Sequence, residues 1–352
     1  MKTKSLKVII PVTLAICIVY IFISLRPGTK EIHFIPQWTE DISRLKPIKE
    51  DDTLIPFKLS QTAGYFTPDG RIVNTLTFPW KVTISEKYYA AYNANSSQVK
   101  FYNASGLDAG VINEYGYPFF SQGRIYVFLP HGTSFVRCDS GGKRLWCYEY
   151  YAPITAFSST EGGCAAGYAD GTVITFKPNG NVEQKYAPGG SKYPAVLGVG
   201  ISQKGDLVAS VSGQERQRFV ISKNQDGRSK ILYHEYLNTS TSEQMLVKFS
   251  NDDKRVYFGF KGGLGIVDVN KKKSSHIPFA GKIIQLEESS LDGIVLVLSR
   301  KENKYTVSAI EPFDSKAFEF SYEADSSFIQ VRGSDLYIGR DNKISKVTLA
   351  KK

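Results

Sequence analysis

A short-strand pattern closing in a turn recurs six times between Lys81 and Ser315, and this repeat constrains the fold more than any other feature of the chain. Its clearest copy occupies residues 133–176, reading TSFVRCDSGGKRLWCYEYY, then APITAFSSTEGG, then CAAGYADGTVITF. Apolar runs alternate there with turn residues: strand, tight turn, strand, crossing loop, strand, Asp-Gly turn, strand. Aligned on the turn before the last strand of each unit, the copies place Ser105-Gly106, Gly141-Gly142, Asn179-Gly180, Asp226-Gly227, Asn270-Lys271 and Asp314-Ser315 in register. Successive turns lie 36, 38, 47, 44 and 44 residues apart. A period in this range, with about four strands per period, is the mark of a β-propeller, in which four-stranded sheets stand around a channel.

The blades read as residues 81–116, 117–151, 153–190, 195–237, 244–281 and 283–324. After Ser327 only three strands fit before the chain ends, at 328–332, 335–339 and 344–349. Residues 71–78 are a surplus strand upstream, and pairing them with the C-terminal trio removes an unpaired edge. The expectation is an all-β propeller of seven four-stranded blades over residues 54–352, closed by that N-terminal strand. Residues 54–67 leave room for further strands.

The 21 tyrosines and 21 phenylalanines against two methionines favour strands over helices. Formal net charge is +10, but Lys2, Lys4, Lys7 and Arg26 carry four of those charges and the rest is spread along the repeats. A nucleic-acid binder concentrates its charge in a patch or an arginine-rich arm, and neither is present, so no nucleic-acid partner is expected. Lys271-Lys272-Lys273 reads as a solvated hairpin tip.

Residues 8–25, VIIPVTLAICIVYIFISL, run for 18 positions without a charge, enough to cross a bilayer as a helix. Three lysines precede them and Arg26 follows, which places the N-terminus in the cytoplasm. A cleaved signal peptide needs a small-residue cleavage site, and none stands near Ser24-Leu25-Arg26. Leu14-Ala15-Ile16-Cys17 has the outline of a lipoprotein processing site, with bulky Ile16 before the cysteine. A retained signal anchor fits the length and flanks best. The expected layout is a basic cytoplasmic tip over 1–7, a transmembrane anchor over 8–25, a stalk over 26–53 holding Pro27-Gly28, Pro36 and Pro47, and the propeller outside the cytoplasm on a single-pass cell (inner) membrane protein. Cys138 and Cys147 flank the Gly141-Gly142 turn with their Cα atoms too far apart for a disulfide.

Gly142-Lys143-Arg144-Leu145-Trp146, after Cys138-Asp139-Ser140 and before Ala166-Gly167-Tyr168-Ala169-Asp170-Gly171, resembles the PQQ-like propeller repeat. In architecture the chain is similar to membrane-anchored bacterial propellers, among them the propeller lipoprotein of the outer-membrane assembly machine. The resemblance implies a scaffold or binding role and transfers no functional residues, because the matched positions build turns and blade packing. Quinoprotein dehydrogenases use a tryptophan in every repeat, whereas only Trp38, Trp80 and Trp146 occur here and the repeat tryptophan appears once. No cofactor is expected.

His33, His131, His234 and His276 are the only histidines, and no two share a metal-ligand spacing, so no metal site is expected. His131 and Asp170 fall on hairpin tips of adjacent blades and read as turn polarity. The carboxylates of Asp69-Gly70, Asp170-Gly171, Asp226-Gly227 and Asp292-Gly293 stand where tight turns want them, so no catalytic residues are assigned. One constellation survives. Loops leaving the fourth strand of one blade for the first strand of the next share a face, and the first four carry Trp80, then Tyr115 and Tyr117, then Tyr150 and Tyr151, then Tyr193. Flat amphipathic rings give contact area at low entropic cost, which suits a peptide segment or a sugar. The function expected is a non-enzymatic scaffold binding one or more envelope proteins. The alternative is a propeller that binds or cleaves a wall or surface glycan.

Overall fold

The computed structural model describes residues 32–49, 52–93, 96–225, 228–312 and 314–351. Eight sheets surround the central channel, seven of four strands and one of three. The six internal blades occupy residues 81–112, 117–149, 154–186, 196–236, 247–278 and 282–323, matching the six spans read from the repeat. They are blades two to seven here. Each is an antiparallel meander with its first strand innermost and its fourth on the rim. Second strands are packed on both faces, and the all-buried runs Gly163–Tyr168 and Leu207–Ser212 show it.

The count of seven blades is corrected to eight by residues 54–67. They supply two strands, Ile55–Leu59 and Thr62–Phe66, which join Ile72–Thr77 in a three-stranded blade one. Residues 71–78 therefore do not close the ring. Closure falls instead to Ile32–Asp41, within the span read as stalk, which pairs antiparallel with Lys343–Lys351 at the rim of blade eight. Phe34 packs edge-on against Phe318 of blade seven at 3.9 Å between ring centroids. The transmembrane helix expected over 8–25 lies outside the described residues, and among those residues no helix is long and apolar enough to cross a membrane.

Blade one lacks its innermost strand, not its outermost. Ser60, directly after Ile55–Leu59, donates its amide to Ser326 Oγ at 3.0 Å, just before the first strand of blade eight begins. Gln330, further along that strand, donates to the carbonyl of Pro56 at 2.8 Å. Ile55–Leu59 thus runs opposite to the first strand beside it, as a second strand would. The rim edge of blade one is covered by the chain after the closing strand: the Lys46 amide donates to the Ile72 carbonyl at 2.7 Å, and Arg71 forms a paired contact with Asp52. A bare edge is thereby avoided.

A tryptophan docks one blade onto the next in two places. Trp146, on the rim of blade three, donates Nε1 to the Pro178 carbonyl at 3.0 Å and lies over Gly180, where a Cβ would come 2.7 Å from the ring. Trp38 of the closing strand donates to the Pro68 carbonyl at 3.2 Å and lies over Gly70 in the same way. Both glycines have positive φ, so the turn and the ring above it each require glycine. Cys138, Cys147 and Cys164 are free thiols; Cys147 stands opposite Val136, one pleat away from Cys138.

Candidate functional site: an aromatic rim over an apolar channel mouth

The connections between blades and the hairpins joining second to third strands lie on one face, called the upper face here. The chain enters on the other: Ile32 pairs with Lys351, and the Leu349 amide donates to Ser334 in a hairpin joining a first strand to a second.

All six aromatic residues expected at the site stand in upper-face connections or at the strand ends they join. Trp80 and Tyr151 are the most open, at 73% and 78% of full exposure, with Tyr115, Tyr117 and Tyr193 also exposed and Tyr150 half-buried. Four of them fall into two groups. In the first, Lys81 follows Trp80 and holds its ammonium 4.4 Å above the ring of Tyr117, joining the connections that enter blades two and three. In the second, the rings of Tyr150 and Tyr151 meet at 4.3 Å between centroids.

Asp170 fixes this second group. Its Oδ2 accepts hydrogen bonds from Tyr151 at 2.7 Å, Thr172 Oγ1 at 3.0 Å and Tyr150 at 3.1 Å, while Oδ1 accepts the Thr172 amide at 2.9 Å. Burial works against the carboxylate, but these donors prevail and hold its pKa below the ordinary value. Bonds to Tyr150 and to Asp170 push the Tyr151 hydroxyl in the opposite direction, upward. The Asp170-Gly171 turn therefore serves as a clamp for two tyrosines as well as a turn. No bond joins His131 to Asp170 among the described residues.

The clamp leads to the next connection. A Cβ on Gly171 would come 2.5 Å from Pro194, so the turn and the Tyr193 loop are in direct contact. That loop is held in turn by the Gln214 amide, which donates to the Tyr193 carbonyl at 3.0 Å. Gly190 abuts the ring of Tyr236, an exposed aromatic absent from the expected set. The Arg216 and Arg218 guanidinium groups lie 4.5 and 5.5 Å from the Tyr236 centroid. Tyr236 ends the rim strand of blade five, where strand periodicity conceals it.

The sequence reading also missed the channel mouth, formed where the first strands of blades four to seven meet the connections that enter them. One cavity of 380 Å³ is lined by Phe157, Leu197, Val199, Met245, Leu246 and Ile283, among others. A second, of 260 Å³, shares Phe157 and Gln244 and reaches Phe128 and Ile154. A third, of 320 Å³, shares Met245 and Ile283 and holds Lys282 and Glu243. They form an apolar trough at the upper ends of the first strands. Gln244 Nε2 donates to the Thr155 carbonyl at 2.6 Å, tying the connection entering blade six to the first strand of blade four. An apolar recess with a few polar groups and a rim of open rings is shaped to receive a ligand's side chains. Among the described residues, no group of three His, Cys, Asp or Glu side chains is placed to hold a metal.

A family model of beta-propeller proteins matches residues 1–352. A Treponema pallidum (strain Nichols) protein described as uncharacterized is 27% identical over 344 residues, spanning 95% of this chain and 91% of its own. Among solved structures, the computationally designed Ika8 protein is similar with a TM-score of 0.62 at 12% identity, over 87% of this chain and 99% of that one. The beta-propeller domain of Myceliophteria thermophila Cps50 (Swd1) is similar with a TM-score of 0.51 at 11% identity, over 75% of this chain and 93% of that domain. At such identities these structures speak for the fold alone. The finer PQQ-like assignment finds no support among the matches. Fold and whole-chain match agree: the chain belongs to the beta-propeller protein family.

Proposed function

We propose that the protein is a non-enzymatic scaffold that binds a partner protein on its upper face, through the aromatic rim and the apolar channel mouth. The observation that carries this reading is the coincidence of open rings with a recess: Trp80, Tyr117, Tyr151, Tyr193 and Tyr236 stand exposed on the face that holds the three joined cavities. Exposed aromatics clustered beside an apolar recess are the usual anchors of protein interfaces. Asp170, the carboxylate nearest the exposed rings, already accepts three hydroxyl or phenol donors, which argues for positioning and against acid–base work. The PQQ-like outline of residues 139–176 belongs to this proposal too, since propellers of that outline serve as scaffolds. Tryptophan docking at both Trp38 and Trp146 supports it.

Action outside the cytoplasm, in an envelope complex, is part of the same proposal and rests on the uncharged segment 8–25 and its flanking lysines. Protease added to cells with a permeabilised outer layer should then degrade the propeller, and full protection would refute that location. The binding claim is tested by affinity capture from solubilised envelopes, comparing the native chain with a W80A/Y117A/Y151A variant. The native chain should retain partners that the variant loses. Identical partners on both would overturn the rim as the site. A glycan array run in parallel, with product analysis, exposes the alternative: a sugar bound by the native chain and lost in the variant would replace the protein reading.

A further inference from the structure

The aromatic half of the upper rim also carries four cations without ion-pair partners among the described residues, three of them stacked on rings. Lys81 stands over Tyr117 at 4.4 Å, Lys185 over Tyr150 at 4.8 Å, and Arg216 over Tyr236 at 4.5 Å. Lys192 is exposed one residue before Tyr193. None of these four has a carboxylate partner among the described residues, although sixteen ion pairs occur among those same residues. Asp170 is capped by two tyrosines and Thr172, and Glu114 faces Arg144 at 3.9 Å. Glu149, exposed one residue before Tyr150, and Glu215, exposed beside Arg216, are the rim carboxylates without an ion pair among the described residues. A cation stacked on a ring keeps its outward face open, so each pair offers an apolar plate and a positive charge to the same incoming residue.

From this juxtaposition we infer that the segment recognised by the rim is acidic and extended, with carboxylates meeting Lys81, Lys185, Lys192 and Arg216 and an apolar side chain entering the channel mouth. The inference rests on the protein-binding reading and names the chemistry of its partner. The pairs follow the rim across four successive blades, a span that an extended chain covers and a single side chain does not. The trough of Phe157, Met245 and Ile283 lies toward the channel at blades four to seven and overlaps the end of that arc, where every second residue of an extended segment would point inward while its neighbours stay with the cations. Surface charges arranged in this way chiefly set partner choice and association rate, and their contribution falls with salt.

The test uses the full chain and three short labelled peptides that alternate leucine with glutamate, glutamine or lysine, with binding read by fluorescence anisotropy at low and near-physiological ionic strength. The glutamate peptide should bind most tightly and weaken as salt rises. A K81Q/R216Q variant should weaken it roughly fivefold, in line with two exposed charge contacts. A K271Q/K272Q control, on the lower face, should leave it unchanged. Circular dichroism melts confirm that both variants fold. Equal binding of the glutamine or lysine peptide, absence of glutamate-peptide binding, or indifference to K81Q/R216Q would each overturn the inference. Partners captured from envelopes discriminate the two levels of the claim: capture lost in W80A/Y117A/Y151A but insensitive to salt and to K81Q/R216Q would refute the acidic segment and leave the binding face standing.

Discussion

Asp170 joins three levels of the structure in one side chain: it sets a turn, orients Tyr150 and Tyr151, and through Gly171 meets the loop of Tyr193. Replacing it by Asn keeps the shape and removes the charge. A D170N variant should lose about 1 kcal/mol of stability, below the usual range for bonds to a charged acceptor because the site is partly open to water. Its Tyr151 hydroxyl should titrate closer to an ordinary tyrosine, as read by absorbance. The sign with pH follows from the lowered pKa of Asp170: its contribution is present above the pKa of an unfolded aspartate and is lost as pH falls through the folded value. The stability gap between native chain and variant, measured by urea unfolding, should therefore close in acid. A gap independent of pH would assign Asp170 a role other than that of a charged acceptor. The docking tryptophans carry a second prediction. Trp146→Ala removes a bond to the Pro178 carbonyl and ring contacts with Phe135 and Phe176, and should cost about 3 kcal/mol in the same assay. This pairing was half legible in the sequence. Phe66-Thr67-Pro68-Asp69-Gly70 and Phe176-Lys177-Pro178-Asn179-Gly180 share one pattern, but the tryptophan each receives comes from a different blade, which no local motif can reveal.

Elements were readable where they repeat. Six internal blades match their sequence spans because alternating strands and positive-φ turns recur in fixed order, and local rules decide both. Blade one escaped because its innermost strand is missing, so a count of four strands per unit could not assemble Ile55–Leu59, Thr62–Phe66 and Ile72–Thr77. The closing strand escaped for another reason. It holds Pro36, which argues against a strand interior, yet the register shifts between Pro36 and Trp38 and the strand lies at the rim, where a missing N–H costs no ladder bond. Its pairing with the C-terminus is the longest-range contact of the sheet system and is invisible to periodicity. Deleting residues 1–41 should expose the edge of Lys343–Lys351 and remove Phe34 and Trp38 from their packing. The truncated chain should unfold at distinctly lower urea and associate with rising concentration in size-exclusion chromatography. A monomer of native stability would show that closure does not depend on that strand.

At the scale of the whole molecule the two faces differ. The lower face takes the incoming chain at Ile32, while the upper face holds the connections, their exposed rings and the joined cavities. The aromatic loops were legible because each stands beside a proline or glycine between strands. The apolar trough was not, because its residues come from the first strands of blades four to seven and meet only when the ring closes. Gly198 shows how tightly they meet: a Cβ there would lie 2.4 Å from the Met245 carbonyl oxygen. Partner binding through the upper face is the central claim, and a photo-crosslinking amino acid tests it most directly when placed at Tyr151 in one chain and at Lys271 on the lower face in another. Irradiation in native envelopes should give a discrete protein adduct from position 151 and none from position 271. Adducts from 271 alone, or the same adducts from both, would contradict the account.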